Sequence, residues 1–426
     1  MEKNDLSEYD RLELKQLQEE CRNEVDMGIL EQLRMSRRQY CINEYNQIDL
    51  FHYENPHYLE DRPGRPTAFN AAVFQSVQLN LHDIKIEHQI TSVKQDGIQH
   101  DPRFKFLPKH LQCTCMKFSP KSGAVLFNQL PRSTRSNMYS CFQSDKQRET
   151  PDLIEHRNII AIIRKDDHNP FFQIASAFNA WIMMRVLDWS YSETQVLLFD
   201  AGLTTATEEF HQRVLSDYPL IYGENLLNKY VRFRHLMIAP FETTGPLMSR
   251  LNDEQPCRES VLLESFKTHV LERFGLQDDL RSMHPTITII SRRDYEGRNV
   301  ARKWQNEKEA MEEVQATWPE MIIQSIDFTK IDVKQQIEHM RKSNVVIGMH
   351  GAGMVNVLWL PPGALVIEIF PVKKKRWGYR NICYYTNCRY EEYREGEDLT
   401  RKQHKTVSIP DWKHFLKNAL SKHNIF

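Results

Sequence analysis

Apolar and polar positions change rhythm along this 426-residue chain. From Asn158 onward, short apolar runs alternate with stretches in which apolar residues return every third or fourth position. An apolar run of four to six fits a strand covered on both faces, and the wider spacing fits one face of a helix. Residues 158–163 predict a strand, and Phe171, Ile174, Phe178, Trp181 and Ile182 predict a helix with a wide apolar face. Residues 196–199 predict a second strand ending at Asp200, 207–215 a helix, and 232–239 a third strand closed by Pro240. A helix over 258–274 is stopped by Gly275. The scheme then repeats, with a strand at 286–290, a helix at 300–314, a strand beginning at 321 and a helix at 333–342. Strands at 344–347 and 365–369 and a terminal helix at 411–421 complete it.

Strands that alternate with helices imply parallel sheets joined by right-handed crossovers. Two such blocks predict an α/β chain of two Rossmann-like domains facing a cleft. Upstream the rhythm is weaker. Residues 4–46 are charged and helix-prone, with a ragged stripe of Leu12, Leu14, Leu17, Val25, Ile29, Leu30 and Leu33. This reads as a helical stem or packing segment over 1–60. Pro56, Pro63, Gly64 and Pro66 mark 52–70 as a linker or extended surface loop, and 71–155 carry no assignable pattern. The expected division is 1–60, an N-terminal domain at 61–275, and a C-terminal domain at 276–426.

The charge balance removes one class of partner. With 56 basic and 57 acidic residues, net charge −1, the chain lacks the basic excess of a nucleic-acid binder. The dense basic run Lys373-Lys374-Lys375-Arg376 reads as a solvated loop, with a phosphate-contacting loop as the minority reading. No apolar run is long enough to span a bilayer, and the charged start Met1-Glu2-Lys3 lacks a signal core, so any membrane link is expected through an anchor outside this chain. No Asn-x-Ser/Thr sequon occurs. The eight cysteines (Cys21, Cys41, Cys113, Cys115, Cys141, Cys257, Cys383 and Cys388) have spacings that suit structural thiols or disulfides better than zinc.

The densest chemistry lies between residues 344 and 370. A buried strand runs into His350-Gly351-Ala352-Gly353, a short helix carries Asn356, and Leu360-Pro361-Pro362-Gly363-Ala364 turns into a second buried strand that bears Glu368. Small residues at the carboxyl end of a strand let the backbone approach a phosphate, and the amides of the following helix face the charge. Ser291-Arg292-Arg293-Asp294 follows the first strand of the same block, where a guanidinium can grip phosphate oxygens; an ordinary charged loop is the alternative. Glu368 is placed to accept from ribose hydroxyls or to form a strand-end salt bridge. His350 would face a sugar or a phosphate, or serve as a hydrogen-bonded structural histidine.

The spacing His350-Gly351-Ala352-Gly353-x-x-Asn356, the Leu-Pro-Pro-Gly-Ala turn and the strand with Glu368, together with Ser291 to Asp294 and Asn306-Glu307, resembles glycosyltransferase family 61 over roughly residues 156 to 372. The resemblance implies a GT-B-like fold of two domains, inversion at the anomeric carbon, a UDP-sugar donor held mainly by the second domain, and no obligatory metal or other cofactor. It implies a glycan or glycoprotein acceptor and a place in the Golgi or endoplasmic reticulum lumen; with no anchor visible, a cytoplasmic place stays open. The stretch from Arg232 to Pro240 is similar to the plant xylosyltransferase branch, which favours UDP-xylose slightly over UDP-N-acetylglucosamine. Donor contacts are then expected from Arg292, Arg293, His350, Gly351, Ala352, Gly353, Asn356 and Glu368.

One motif departs from the family. After Asn169, Phe172 stands where a histidine is usual and Ser176 where an aspartate is usual. The acid/base candidates become Asp166, ahead of Asp167 and His168, at the end of a predicted strand. Arg292, Arg293 and the amides after Gly351 and Gly353 are expected to stabilise the leaving diphosphate, so loss of Arg293 should hurt rate more than fold. Two other readings stay open: a non-catalytic binder of nucleotide-sugar or glycan, motivated by Phe172 and Ser176, and an NAD-dependent enzyme using the Gly-Ala-Gly turn.

Overall fold

The computed structural model describes residues 8–40, 47–58, 68–82, 84–94, 97–105, 111–112, 150–164, 168–200, 207–281, 283–294, 300–399 and 402–425. The chain divides into two compact units, Met1–Val93 with Ile98–Ser249 and Lys94–Gly97 with Arg250–Phe426.

The first unit opens with helices α1 (Glu8–Val25) and α2 (Gly28–Ser36). Next come β1 (Arg38–Tyr40), β2 (Gln47–Glu54) and β3 (Ala68–Asn80), paired antiparallel, and the two-stranded sheet of β4 (Lys85–Lys94) and β5 (Gly97–Lys105). β6 (Leu111–Gln112) pairs with β3. Then follow β7 (Leu153–Ile162), helix α3 (Pro170–Leu187), β8 (Thr194–Leu198), helix α4 (Glu208–Leu215), β9 (Ile221–Tyr222) and β10 (Tyr230–Ile238). The main sheet has the order β1-β2-β3-β10-β7-β8-β9, parallel from β10 to β9 and antiparallel elsewhere. Ile159, Ala161, Leu197, Phe233 and Leu236 lie in its core with Ile48, Leu50, Phe74 and Leu79. α3 starts where Asn169 accepts a hydrogen bond from the Phe171 amide at 3.1 Å and Pro170 supplies the first helical φ. Its apolar residues surround it on nearly all sides, and it is buried accordingly.

The second unit contains helix α5 (Val261–Phe274), β11 (Thr286–Ser291), helix α6 (Glu307–Thr317), β12 (Ile322–Asp327) and helix α7 (Val333–Lys342). β13 (Val345–Met349), a 3-10 turn (Ala352–Trp359), β14 (Leu365–Ile369), helix α8 (Gly378–Tyr385) and β15 (Arg389–Tyr393) follow, then the small pair β16 (Glu397–Leu399) and β17 (His404–Thr406) and helix α9 (Ile409–Lys422). Its sheet has the order β12-β11-β13-β14-β15 with every neighbour parallel. The strand order reverses between β11 and β13, so the crevice past their carboxyl ends is where an open α/β sheet binds ligands.

Four expectations need correction. Of the two readings of residues 1–60, stem or packing segment, α2 fits packing, since it buries Ile29, Leu30 and Leu33, but the segment is not all helical: β1 and β2 are strands of the main sheet. The unassigned stretch after residue 70 includes most of β3, whose antiparallel pairing makes the first unit mixed rather than fully parallel. The unit boundary falls at 249/250 rather than 275, because α5 packs on the second unit: the Phe266 and Trp359 rings are 6.4 Å apart, and the Ser260 amide donates to Tyr385 O at 2.9 Å. The helix expected from residue 300 starts only at Glu307. Before it, Gln305 N donates to Lys405 O and Lys405 N to Lys303 O, both at 2.8 Å, so that backbone is already spent in strand-like pairing. Among the described residues, no helix is long and apolar enough to cross a membrane.

Candidate functional site

The site begins with the space that small residues leave at the end of β13. Gly348 lies inside that strand, and a Cβ there would overlap Met354 Sδ, so its absence lets the 3-10 turn fold down onto the strand. Gly351 opens that turn, and a Cβ there would overlap the Arg292 guanidinium. Arg292 comes off the end of β11, the neighbouring strand, and donates from Nε to Ala301 O at 3.3 Å. Gly353 faces Ile290 with ordinary room, 3.4 Å from a built Cβ to Ile290 Cγ2. The arginine therefore lies across the first glycine, at the switch point of the sheet, where helix amides also begin. The loop with Gly351 and Arg292 are brought together, and Ala352 and Gly353 are half-buried beside them.

His350 and Glu368 meet each other. His350 Nδ1 is 2.6 Å from Glu368 Oε1, and Tyr390 OH donates to Glu368 Oε2 at 2.5 Å. Glu368 is only 1% exposed, so both oxygens are occupied where solvent does not reach. Of its two readings, ribose acceptor or strand-end pair, the contacts seen are those of the strand-end pair: Glu368 orients His350 and Tyr390. The imidazole stacks on Phe370 with centroids 4.7 Å apart and an interplanar angle of 21°, and Tyr379 covers it at 5.6 Å. Burial lowers the imidazole pKa, against the opposing pull of Glu368; Arg302 and Lys374 lower it further. Burial likewise raises the Tyr379 and Tyr390 phenols, with Glu368 adding to both.

Several cations face this place that the sequence reading passed over. Arg302 donates from Nε to His350 O at 2.8 Å and has a left-handed backbone, φ 58°. Arg302, Arg292 and Arg376 all act on the Tyr379 hydroxyl by charge. Lys374 and Arg376 belong to the basic run: they are half-buried and act by charge on His350 and Tyr379 respectively, while Lys373 and Lys375 are exposed. Arg302 was hidden inside a segment that reads as helix, and Tyr379 and Tyr390 in elements that the pattern did not reveal. The signal available was the density of Arg and Lys on either side of the glycine turn.

Two expected contacts point elsewhere. Arg293 donates to Glu307 Oε1 at 3.1 Å, and Ser291 Oγ (3.0 Å) and Ser325 Oγ (2.6 Å) complete the shell of that buried carboxylate. Asn356 is 2% exposed and donates to Gly353 O at 3.1 Å and Gln336 Oε1 at 3.4 Å, so it braces the turn. Asn306 clasps the Val407 backbone through both amide atoms.

In the first unit, Asp166 and Asp167 lie outside the described residues. His168 sits half-buried in the turn before α3. Phe172 is half-buried on the first turn of that helix, and Ser176 is 2% exposed within it. Past β7 and β8 lies a dense ionic cluster. Arg164 meets Asp200 through Nε (3.0 Å) and Nη2 (2.7 Å), and Glu208 through Nη1 (2.9 Å). Beyond β10, Asn179 Nδ2 donates to Phe241 O (3.1 Å) and Thr244 O (2.8 Å), fixing a turn whose inner residue Glu242 is 1% exposed. Glu242 is a buried carboxylate at the carboxyl end of a parallel strand that the sequence reading did not single out. Among the described residues, no group of three or more His, Cys, Asp or Glu is placed to hold a metal ion. Cys383 and Cys388 are buried free thiols.

Comparison with known proteins gives these findings. A family profile described as Glycosyltransferase 61 matches residues 102–367. An EGF domain-specific O-linked N-acetylglucosamine transferase of Gallus gallus is 23% identical over 220 residues, covering 49% of this chain and 39% of that protein. A beta-1,2-xylosyltransferase of Oryza sativa subsp. japonica is 24% identical over 260 residues, covering 54% of this chain and 48% of the relative. The matches span less than half the length of these two relatives. Among solved structures, a glycosyl transferase of family 9 from Veillonella parvula is 12% identical with a TM-score of 0.30, covering 62% of this chain and 97% of that one.

Proposed function

Because the chain belongs to glycosyltransferase family 61, we propose that it is an inverting glycosyltransferase of GT-B type that moves a sugar from a UDP-sugar to a hydroxyl of a glycan or glycoprotein. The observation that carries the donor site is the Arg292 guanidinium lying over Gly351, with Arg302 bound to the His350 carbonyl beside it. Cationic forks and the first amides of a helical turn at a sheet's switch point suit a diphosphate.

The reaction is one displacement. A general base, Asp166 ahead of Asp167 and His168, takes the proton of the acceptor hydroxyl. The freed electron pair forms the new bond to the anomeric carbon while the bond to the UDP oxygen breaks on the opposite face, through an oxocarbenium-like transition state. UDP leaves with that bond's electrons, and its growing charge is stabilised by Arg292, Arg302 and the turn amides. The relatives' names, a xylosyltransferase and an N-acetylglucosamine transferase, support xylose or N-acetylglucosamine as the sugar moved; the stretch from Arg232 to Pro240 puts xylose slightly ahead.

The experiment is a mass-spectrometric screen of UDP-sugars for hydrolysis and for transfer to a glycan panel, preceded by thermal protection with UDP, which raises the melting temperature if it binds the native state alone. Transfer of one sugar with inverted anomeric configuration is the expected result. UDP protection without turnover on any acceptor would favour a non-catalytic binder, the reading that Phe172 and Ser176 motivate. Protection by NAD and none by UDP would overturn the donor assignment.

A further inference from the structure

We propose that His350 recognises a hydroxyl of the bound nucleotide-sugar, not a phosphate, and that Glu368 and Tyr390 act through it as positioning residues. The inference rests on the donor-site reading above and deepens it. Its basis is which atoms of three linked side chains hold protons. The Tyr390 hydroxyl donates to Glu368 Oε2 at 2.5 Å, so that oxygen is an acceptor. Glu368 Oε1 is 2.6 Å from His350 Nδ1, and a carboxylate accepting on one oxygen is met on the other by an N–H. Nδ1 therefore carries the imidazole proton. In the neutral ring the remaining nitrogen, Nε2, presents a lone pair and no proton.

The ring is held in that orientation. Phe370 stacks on one face and Tyr379 packs at a tilt, so rotation that would exchange the two nitrogens meets packed aromatics. Glu368 comes from β14 and Tyr390 from β15, two adjacent strands in fixed register. The His350 side chain keeps 11% of its exposure, so the ring is not sealed from solvent. The charged and titratable groups that face the ring are Glu368, Arg302 from the segment before α6, Lys374 from the loop after β14, and the Tyr379 phenol from α8. Burial and the two cations favour the neutral form, and Glu368 opposes them.

A lone pair repels a phosphate oxygen and accepts from a hydroxyl. The site thus divides its labour: Arg292, Arg302 and the turn amides are donors for the diphosphate, while Nε2 is an acceptor for a sugar. The hydroxyl can belong to the ribose or to the transferred sugar, and the choice of ligand separates them.

The test is calorimetric binding of UDP, 2′-deoxy-UDP, 3′-deoxy-UDP, UDP-xylose, UDP-N-acetylglucosamine and inorganic pyrophosphate to the full chain and to His350→Phe, which keeps an aromatic ring on Phe370. The expected result is a loss of about tenfold for a hydroxyl-bearing ligand, with pyrophosphate unchanged to within about twofold. A loss seen with UDP, and absent with one deoxy analogue, assigns the ribose. A loss seen with the UDP-sugars alone assigns the transferred sugar. In Glu368→Gln, the negative charge that favours the imidazolium is gone. The acid-side fall in the ratio of UDP-sugar to pyrophosphate affinity should therefore move to lower pH, a shift that a purely structural role would not produce. Equal losses for UDP-sugar and pyrophosphate, or binding unchanged in His350→Phe, would overturn this inference alone. No binding of any uridine ligand to the wild type would overturn the donor-site reading and this inference with it.

Discussion

Arg164 leaves β7 and Arg292 leaves β11, each just past the carboxyl end of the first parallel strand of its unit, and their surroundings differ completely. Arg164 is locked between Asp200 and Glu208, with side chains 2%, 2% and 5% exposed. Tyr222 adds a hydrogen bond to Glu208 at 2.8 Å. Among the described residues, one guanidinium here meets two carboxylates. Arg292 instead lies across a glycine and donates to a neutral carbonyl. Among the described residues, the charges acting on the neighbouring His350 and Tyr379 are Arg302, Lys374 and Arg376 with Arg292 itself, against Glu368. The same residue type at the same topological position is a structural tie in one sheet and, in the proposed donor site, an anion grip in the other. The lesson is that position in an α/β sheet nominates a residue, and the charge of its neighbours decides its use.

The sharpest break of this contrast is Arg164→Met. Removing one member of a buried ionic cluster leaves two carboxylates uncompensated and should cost about 3–5 kcal/mol. Urea denaturation reads it directly. Arg292→Met should change the same midpoint by less than about 1 kcal/mol, as expected for a partly exposed side chain outside the core. Equal losses in the two variants would erase the distinction. Next in size is the pH dependence of the first unit. His211 in α4 is fully buried beside Arg164, and burial, reinforced by that guanidinium, lowers its pKa to about 4. The unfolded chain takes up the proton near 6.5, so between the two values the unfolded state binds more protons than the native one. Stability is fully present above pH 6.5 and is lost as pH falls toward 4, by roughly 3 kcal/mol in all. Denaturation at pH 7 and pH 4.5 should show most of that drop in the wild type and much less of it in His211→Gln.

The second unit should respond in ligand affinity. Arg292→Met removes a charge-assisted contact, for which about 1.5–3 kcal/mol, or roughly 10- to 100-fold in UDP affinity, is expected. Gly351→Ala should approach the same loss without replacing the arginine, because a methyl there displaces the guanidinium. Gly353→Ala meets only Ile290 at 3.4 Å and should cost a few-fold at most. Calorimetric titration of UDP into the three variants gives the order. If Gly353→Ala proved the worst, close approach of the turn backbone, and not placement of Arg292, would govern the site.

Much of this was readable from the residues, for a physical reason. Strands such as β13 and β14 are buried on both faces, so their apolar runs are unbroken, and α7 announces its start through the reciprocal hydrogen bonds of Asp332 and Gln335. The glycine turn and Arg292 were legible because close backbone approach admits few residues. What failed to show in the sequence depends on tertiary partners. Glu368 looked like a ligand because its strand position is right, but Tyr390 sits 22 residues on and takes its second oxygen. Arg302 sits in a segment of helical composition whose backbone is drawn into pairing with residues a hundred positions later. The strands before residue 81 are antiparallel, and their register with β10 is fixed by pairing that no local rhythm announces.

Arg293 supplies the finest discrimination. It neighbours Arg292 in sequence, carries the same charge and was expected to share its work. In the folded chain its side chain is 56% exposed and turned to Glu307. That carboxylate keeps the hydroxyls of Ser291 and Ser325 when the arginine goes, so it is not stranded. An ion pair this exposed contributes at most about 1 kcal/mol. Arg293→Ala should therefore shift the urea midpoint slightly, leave UDP affinity within about threefold, and stay well above the Arg292 variant in transfer rate. Its remaining influence would be long-range, through the positive field at the sheet's end, and would fade as salt is raised past about 0.15 M, where screening acts within about 8 Å. A loss of UDP affinity equal to that of Arg292→Met, persisting in high salt, would mean that both guanidiniums touch the diphosphate and that the pairing with Glu307 gives way when it binds.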